Sequence, residues 1–395
     1  MSFERPVIRL KPRADARRVR HGHPWVYADD LVLDRRSKAL APGTIATLED
    51  AERVPLATVA VNPLSKIAVR VLDTPEAGID AAWLRAKVAA AHAMRATLYD
   101  APYHRLIHAE GDGLPGVVAD RFGDAVVLQP NAAWAEALLG PMVEAIADVT
   151  GATTILKSAS GRTRALEGLD DVPGVLRGTA PDAPVPVPMN GATYLADLTG
   201  GQKTGLFYDQ RPNHAFAARL APGGRVLDVF SHVGGFALAS LAGGAAHATA
   251  VDGSPAALEL ATGGADAMGM GDRFATTKSD AFAALDALAG ETFDSVICDP
   301  PAFAPAKPAL DKGLRAYERV ARLAAPLVAE GGWLTLCSCS HAADLSRFHA
   351  ACARGIGRAG RRAALVRTGF AGPDHPVHPL LAETGYLKAL TFRLS

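Results

Sequence analysis

The stretch RVLDVFSHVGGFAL, residues 225–238, decides the fold. An apolar strand, predicted over 225–229, carries Asp228 near its end. Small residues follow, and Gly234 and Gly235 open a helix predicted over 235–241. Such glycines let a ligand approach the backbone closely. In doubly wound sheets, ligands bind in the crevice beyond the carboxyl ends of the strands. The spacing is not GxGxxG, which argues against a dinucleotide pyrophosphate and hence against an oxidoreductase.

Outward from this turn, strands are predicted over 248–251, 295–298 and 332–337, separated by amphipathic helices over 255–268 and 314–328. That alternation implies an α/β domain with a parallel, doubly wound, Rossmann-like sheet. Residues 1–75 differ: short apolar runs alternate with turn signals, as in a small β-rich domain. Residues 76–188 mix a helix over 80–98, several short strands and a second helix over 134–149, a central α/β domain. The proline-dense run TAPDAPVPVPM, 179–189, reads as a boundary. The expected domains are therefore 1–75, 76–188 and 189–395.

Each strand end in the last domain carries a candidate functional residue. Asp252, in ATAVDGS, closes the second strand, where a carboxylate can accept from both hydroxyls of a ribose. Asp280, in KSDAF, ends a predicted third strand and can accept from an adenine amino group. Asp299-Pro300-Pro301, in SVICDPPAF, is a rigid extended bend that lacks two backbone donors. A flat base can rest there, with Phe303 as a stacking surface. Cys339, in LTLCSCSHA, lies just past the fifth strand near the same edge, and a thiolate there is a strong nucleophile. Cys298 and Cys337 fall inside predicted strands and read as core residues. A cap or turn explains any one of the acids; three on successive strand ends form a set.

Composition narrows the field. The 395 residues are 49% apolar and 21% charged, so extensive disorder is excluded. Four cysteines without a CxxC pair argue against a disulfide scaffold and a zinc site, so no metal and a reducing, cytoplasmic compartment are expected. There is no secretory h-region and no apolar run long enough to span a bilayer. Lys+Arg and Asp+Glu both number 41, so no global field steers the chain onto nucleic acid. A local patch must do so. The dense basic cluster is N-terminal: Arg5, Arg9, Lys11, Arg13, Arg17, Arg18 and Arg20.

Taken together these residues resemble class I S-adenosylmethionine-dependent methyltransferases. More narrowly, the chain resembles the 23S rRNA cytosine carbon-5 methyltransferases that carry an N-terminal PUA domain. The resemblance runs through GHPWVY (22–27), NPLSKIAVRVL (62–72), GDGLPGVVADRFGD (111–124), GGQKTGLFYDQRPN (200–213), DVFSHVGGFAL, DPPAF, SCS, DHPVHP (374–379) and YLK (386–388). It implies a cofactor site lined by Asp228, Ser231, Gly234, Asp252, Asp280 and Asp299. Lys203, Thr204, Gly205, Asp209, Gln210 and Arg211 match a segment that in related enzymes lies over the cofactor and substrate. Lys203 and Gln210 are assigned to the cofactor. Arg211, Pro300, Pro301 and Phe303 are assigned to the target base, and Arg17, Arg18 and Arg20 to RNA phosphates. Cys339 matches the nucleophile position, with Asp299 as its catalytic partner. The proton acceptor stays open between His375, Glu383 and a water held by Asp299.

The chain departs from the pattern at Asn213-His214, where Asn-Arg is usual, and at VPMNG, which lacks an acidic residue before the glycine near 191. The implied partner is 23S rRNA or a large-subunit precursor, bound by a monomer or homodimer. Two other functions fit fewer of these residues: methylation of a guanine nitrogen, which needs no cysteine, and RNA binding in ribosome assembly without turnover.

Overall fold

The computed structural model describes residues 5–200 and 205–395. The chain divides into two compact units. One runs to Pro181 and takes in Pro373–Thr384; the other comprises Asp182–Asp197, Gly205–Gly372 and Gly385–Ser395.

The first unit holds two sheets. One has six strands in the order Trp25–Val26, Val69–Asp73, Pro55–Val61, Thr44–Glu49, Val7–Leu10, Leu31–Val32. The other has five, in the order Gly174–Arg177, Thr154–Lys157, Ala125–Pro130, Val117–Phe122, Tyr103–His108. The helix Ala81–Leu98 buries Leu84 and Val88 in the same apolar cluster as Val117, Val126 and Leu128 of the second sheet. Asp80 caps this helix by accepting from Trp83 N at 2.9 Å. Arg70, on the first sheet, is buried and donates to Glu110 and Glu167 at 3.0 Å each. Asn62 and Ser65 also donate to Glu167 at 3.0 Å. Charges so buried need partners of this kind, because a lone one carries the full desolvation penalty.

The second half of the proline-rich run is a strand. Val185–Met189 pairs antiparallel with Ala192–Ala196. A two-stranded ribbon tolerates Pro186 and Pro188 because each strand has an outer edge that needs no donor. Asn190 and Gly191, at φ 55° and 75°, form the turn, the Asn-Gly signature of a tight hairpin.

The second unit is built on β1 (Arg225–Val229), β2 (His247–Asp252), β3 (Phe274–Lys278), β4 (Phe293–Cys298), β5 (Val328–Ser338), β6 (Ala363–Gly369) and β7 (Lys388–Leu394). Their order is β3-β2-β1-β4-β5-β7-β6. The first five are mutually parallel, and β7 runs antiparallel between β5 and β6. The helices are α1 (Arg211–Ala218), α2 (Gly235–Ala242), α3 (Pro255–Ala267), α4 (Ala281–Ala287), α5 (Leu310–Ala324) and α6 (Leu345–Arg358). Leu227, Val229, Val296, Leu334 and Leu336 are buried at the sheet centre, as expected of parallel strands covered on both faces. The helix predicted over 314–328 is observed as α5, four residues earlier at each end. A short turn at Ala325–Leu327, containing Pro326, ends the helical run and feeds β5. Among the described residues no helix is long and apolar enough to cross a membrane.

Candidate active site

The loop between β1 and α2 is held in an uncommon backbone. Phe230 and His232 have φ of 63° and 50°, and Gly234 has 77°. Left-handed geometry at non-glycine residues stores strain that clusters at functional sites. Gly234 is required for two reasons: its φ, and the close approach of α3, where an added Cβ would stand 3.1 Å from Ala261 Cβ. A Cβ on Gly235 would stand 2.7 Å from the His214 ring. These glycines therefore answer first to backbone geometry and helix packing.

Asp228 is fully buried. Its Oδ2 accepts from Ala237 N at 2.9 Å, and its Oδ1 has no protein partner. Burial, reinforced by the charges of Asp299 and Asp252 and opposed by the Ala237 hydrogen bond, pushes its carboxyl up to about 8. The nearby Ser231 Oγ is also buried without a partner. Asp252, half-buried at the end of β2, accepts from His232 N at 2.9 Å and Ser254 N at 2.8 Å. Each carboxylate oxygen keeps further lone pairs for a ligand donor. Asp280 lies two residues past β3, exposed, and caps α4 through Oδ1, which accepts from Phe282 N and Ala283 N.

Asp299 follows β4, and its amide donates to Val229 O at 3.1 Å, locking the ends of β4 and β1 together. Gln210 Nε2 donates to Asp299 Oδ2 at 2.9 Å. Asn213 Nδ2 in turn donates to Gln210 Oε1 at 2.7 Å and to Phe370 O at 3.1 Å. The fold thus joins two sequence-predicted residues, Gln210 and Asp299, through a relay that orients both. Arg211 begins α1, with its guanidinium 5.5 Å from the Tyr208 ring. Lys203 and Thr204 lie outside the described residues. Pro300 is buried and Pro301 exposed. Phe303 is half-buried in an aromatic cluster, 5.0 Å from Tyr317 and 6.3 Å from both Phe230 and Phe282.

Cys298, Cys337 and Cys352 are buried, and burial raises each of their thiols. Cys339 is the one cysteine that is not fully buried. Its loop is tied down on two sides. Tyr317 OH bonds Ser338 Oγ at 2.9 Å and Ser340 Oγ at 2.8 Å, and Ser340 Oγ also accepts from Ala304 N at 2.9 Å. Lys388 Nζ donates to Ser340 O at 2.7 Å and Ala343 O at 2.8 Å. Ser340 therefore links the Cys339 loop to the DPPAF loop. Sequence reasoning missed this clamp, although SCS and YLK both lay among the motifs it singled out.

Arg17, Arg18 and Arg20 share one short helix, Ala16–Arg20, of the first unit. Arg20 pairs with Asp50, and Arg18 bonds His23 Nε2 at 2.8 Å. Arg9 pairs with Glu49, and Arg5 bonds Thr58 and the Ala77 carbonyl. The basic cluster is consequently less free than its count suggests. His375 is buried in this unit, with Nδ1 2.9 Å from Asp374 Oδ1 and its ring 4.9 Å from His108. Glu383 is exposed.

Comparison with known proteins agrees with this architecture. Residues 8–74 match a family of PUA-like domains, and residues 175–357 match the S-adenosylmethionine-dependent methyltransferases. Fold and match together define an S-adenosylmethionine-dependent methyltransferase with a PUA-like domain. A Shewanella denitrificans protein named ribosomal RNA large subunit methyltransferase I is 33% identical over 98% of this chain and 99% of its own. A Klebsiella pneumoniae protein of the same name is 34% identical over 94% of each chain. The chain belongs to the ribosomal RNA large subunit methyltransferase I family. A solved structure from Streptococcus mutans, named as a SAM-dependent methyltransferase, has the same fold, with a TM-score of 0.83 at 19% identity over 98% of this chain and 100% of its own.

Proposed function

We propose that this protein transfers a methyl group from S-adenosylmethionine to carbon 5 of a cytosine in 23S rRNA, through a covalent adduct with Cys339. The observation that carries the reading is the position of Cys339: the one incompletely buried thiol stands past β5, on a loop bonded to the DPPAF loop. The names of its relatives support large-subunit rRNA as the substrate.

The residues present fit the cofactor. Asp228 Oδ1 and Ser231 Oγ are buried polar atoms without a protein partner, and Asp252 ends β2 where a ribose is held in such folds. Asp228 and Ser231 would hold the amino acid end, Asp252 the ribose hydroxyls and Asp280 the adenine. When bound, S-adenosylmethionine supplies the methyl on a sulfonium.

Carbon 5 of cytosine is a weak nucleophile. Addition of the Cys339 thiolate to carbon 6 breaks the 5,6 double bond and places its electron pair on carbon 5. Carbon 5 takes the methyl, and S-adenosylhomocysteine departs. A base then removes the carbon-5 proton, the electron pair restores the double bond, and the thiolate leaves. Asp299, fixed by Gln210, would accept from the cytosine amino group and, in its protonated form, donate to N3. A water held by Asp299 is the better candidate for proton acceptor, since His375 is buried and engaged by Asp374. The target base must leave its stack to be reached. The N-terminal arginines would contribute phosphate contacts.

The test is a methyl-transfer assay with labelled S-adenosylmethionine and protein-free 23S rRNA from a strain lacking the enzyme, with the product nucleoside identified by mass spectrometry. 5-Methylcytidine is expected. A methylated guanosine would overturn the cytosine reading and leave the methyltransferase class intact.

A further inference from the structure

Lys388 is a buried lysine that the proposed reaction does not use. It opens β7 and pairs in register with Ser338, the residue before Cys339. It is 5% exposed, and its two described hydrogen bonds go to backbone carbonyls, not to a carboxylate. Burial lowers its basicity, while Cys339 and Asp344 lie within electrostatic range and oppose that loss. A buried ammonium without a close counter-charge is costly and favours an anion forming beside it. Among the described residues, Tyr317 on α5 and Lys388 on β7 interact electrostatically with Cys339, Asp344 before α6 acts on Lys388, and the exposed His341 lies two residues past Cys339. Lys388 is the buried cation among them.

We propose that Lys388 is a positioning residue for the Cys339 reaction: it fixes the loop through the Ser340 and Ala343 carbonyls and supplies the positive charge against which the thiolate forms. The proposal rests on Cys339 as nucleophile. The test is the pH dependence of iodoacetamide alkylation at the Cys339 peptide, read by mass spectrometry in the full chain without RNA. Wild type, Lys388→Arg and Lys388→Gln are compared, with S-adenosylmethionine titration as the check of folding. Lys388→Arg keeps the charge and is expected to keep the alkylation midpoint. Lys388→Gln is expected to raise it by about one pH unit or more, the scale of one nearby charge. Equal midpoints in the two variants overturn the proposal, because a purely structural role alters folding and not the difference between them. An active Cys339→Ala enzyme would instead remove the nucleophile reading, whatever the midpoints show.

The outer face of α5 is basic. Lys312, Arg315, Arg319 and Arg322 recur every three or four residues, so they share one face, and all are exposed. None has a carboxylate within salt-bridge distance among the described residues. Glu318 is turned away, buried and paired with Arg354 and Arg358 of α6. At about 1.5 Å per residue the ridge is roughly 15 Å long. It begins at the DPPAF loop, since an added Cβ on Gly313 would stand 2.7 Å from Ala304 Cβ. In a chain of zero net charge, such a row is a local field complementary to a polyanion.

From this geometry we infer that the α5 ridge tracks the phosphates of the RNA strand flanking the target base, an inference that rests on the RNA reading. The test measures affinity for 23S rRNA fragments against salt for wild type and the K312A/R315A/R322A variant, which spares Arg319 because it packs on Phe282. The slope of log affinity on log salt is expected to fall by about 2, near 0.7 for each single-strand phosphate left without its cation. A variant with the wild-type slope overturns the ridge. A wild type with no salt-dependent affinity overturns the RNA reading itself.

Discussion

Cys339→Ala is expected to abolish methyl transfer, by about 10⁴-fold or more, as when a covalent nucleophile is removed. S-adenosylmethionine binding should be unchanged in the same variant. The side chain is small and only partly buried, its neighbours Ser338 and Ser340 carry the hydrogen bonds of the loop, and no cofactor-site candidate depends on it. Truncation to alanine therefore removes a sulfur and little else. The adduct can also be observed directly. RNA transcribed with 5-fluorocytidine cannot lose a proton from carbon 5, so the covalent species should accumulate as a mass shift on the Cys339 peptide. Turnover by Cys339→Ala, or a mass shift on another peptide, would refute the assignment.

Asp228→Asn should separate two roles of one carboxyl. Folding raises this group from 3.8 to about 8, chiefly by burial. Above pH 4 the unfolded chain is ionised at this position while the folded apoprotein holds the proton. Unfolding therefore releases a proton, and stability falls as pH rises, by up to about 1.4 kcal/mol per pH unit between roughly pH 4 and 8. Asparagine has no such proton. Without cofactor, Asp228→Asn should gain stability relative to wild type across that window, with the gain levelling off above it. Urea unfolding at a series of pH values measures this, and parallel curves would refute it. Cofactor affinity should move the other way, falling roughly 10- to 100-fold at neutral pH, the worth of a hydrogen bond to a charged group. Titration calorimetry reads that loss.

Some of the site was legible before any fold was known. Asp228, Asp252 and Asp299 could be placed at strand ends because strand, turn and helix are local patterns, and the α/β alternation fixes where those ends meet. Asp280, read as ending the third strand, lies two residues past it, and its capping of α4 is a local property too. The hairpin at 185–196 was missed because proline density outweighed the Asn-Gly turn signal at Asn190-Gly191. The antiparallel pair β6 and β7 was missed because the 18 residues 370–387 separate the two strands, so no short turn marks them.

The class of fold, the turn at 225–238 and the cysteine worth testing are all readable in the linear chain, since each depends on residues close together along it. How the site is held is a property of the folded molecule. Gln210 meets Asp299 across 89 residues, Ala304 meets Ser340 across 36, and Lys388 reaches Ser340 across 48. Folding also buries Cys298, Cys337 and Cys352 while leaving Cys339 partly open. Such contacts follow from strand order and loop placement, which bring distant residues into hydrogen-bond range without any periodicity that the linear chain could display.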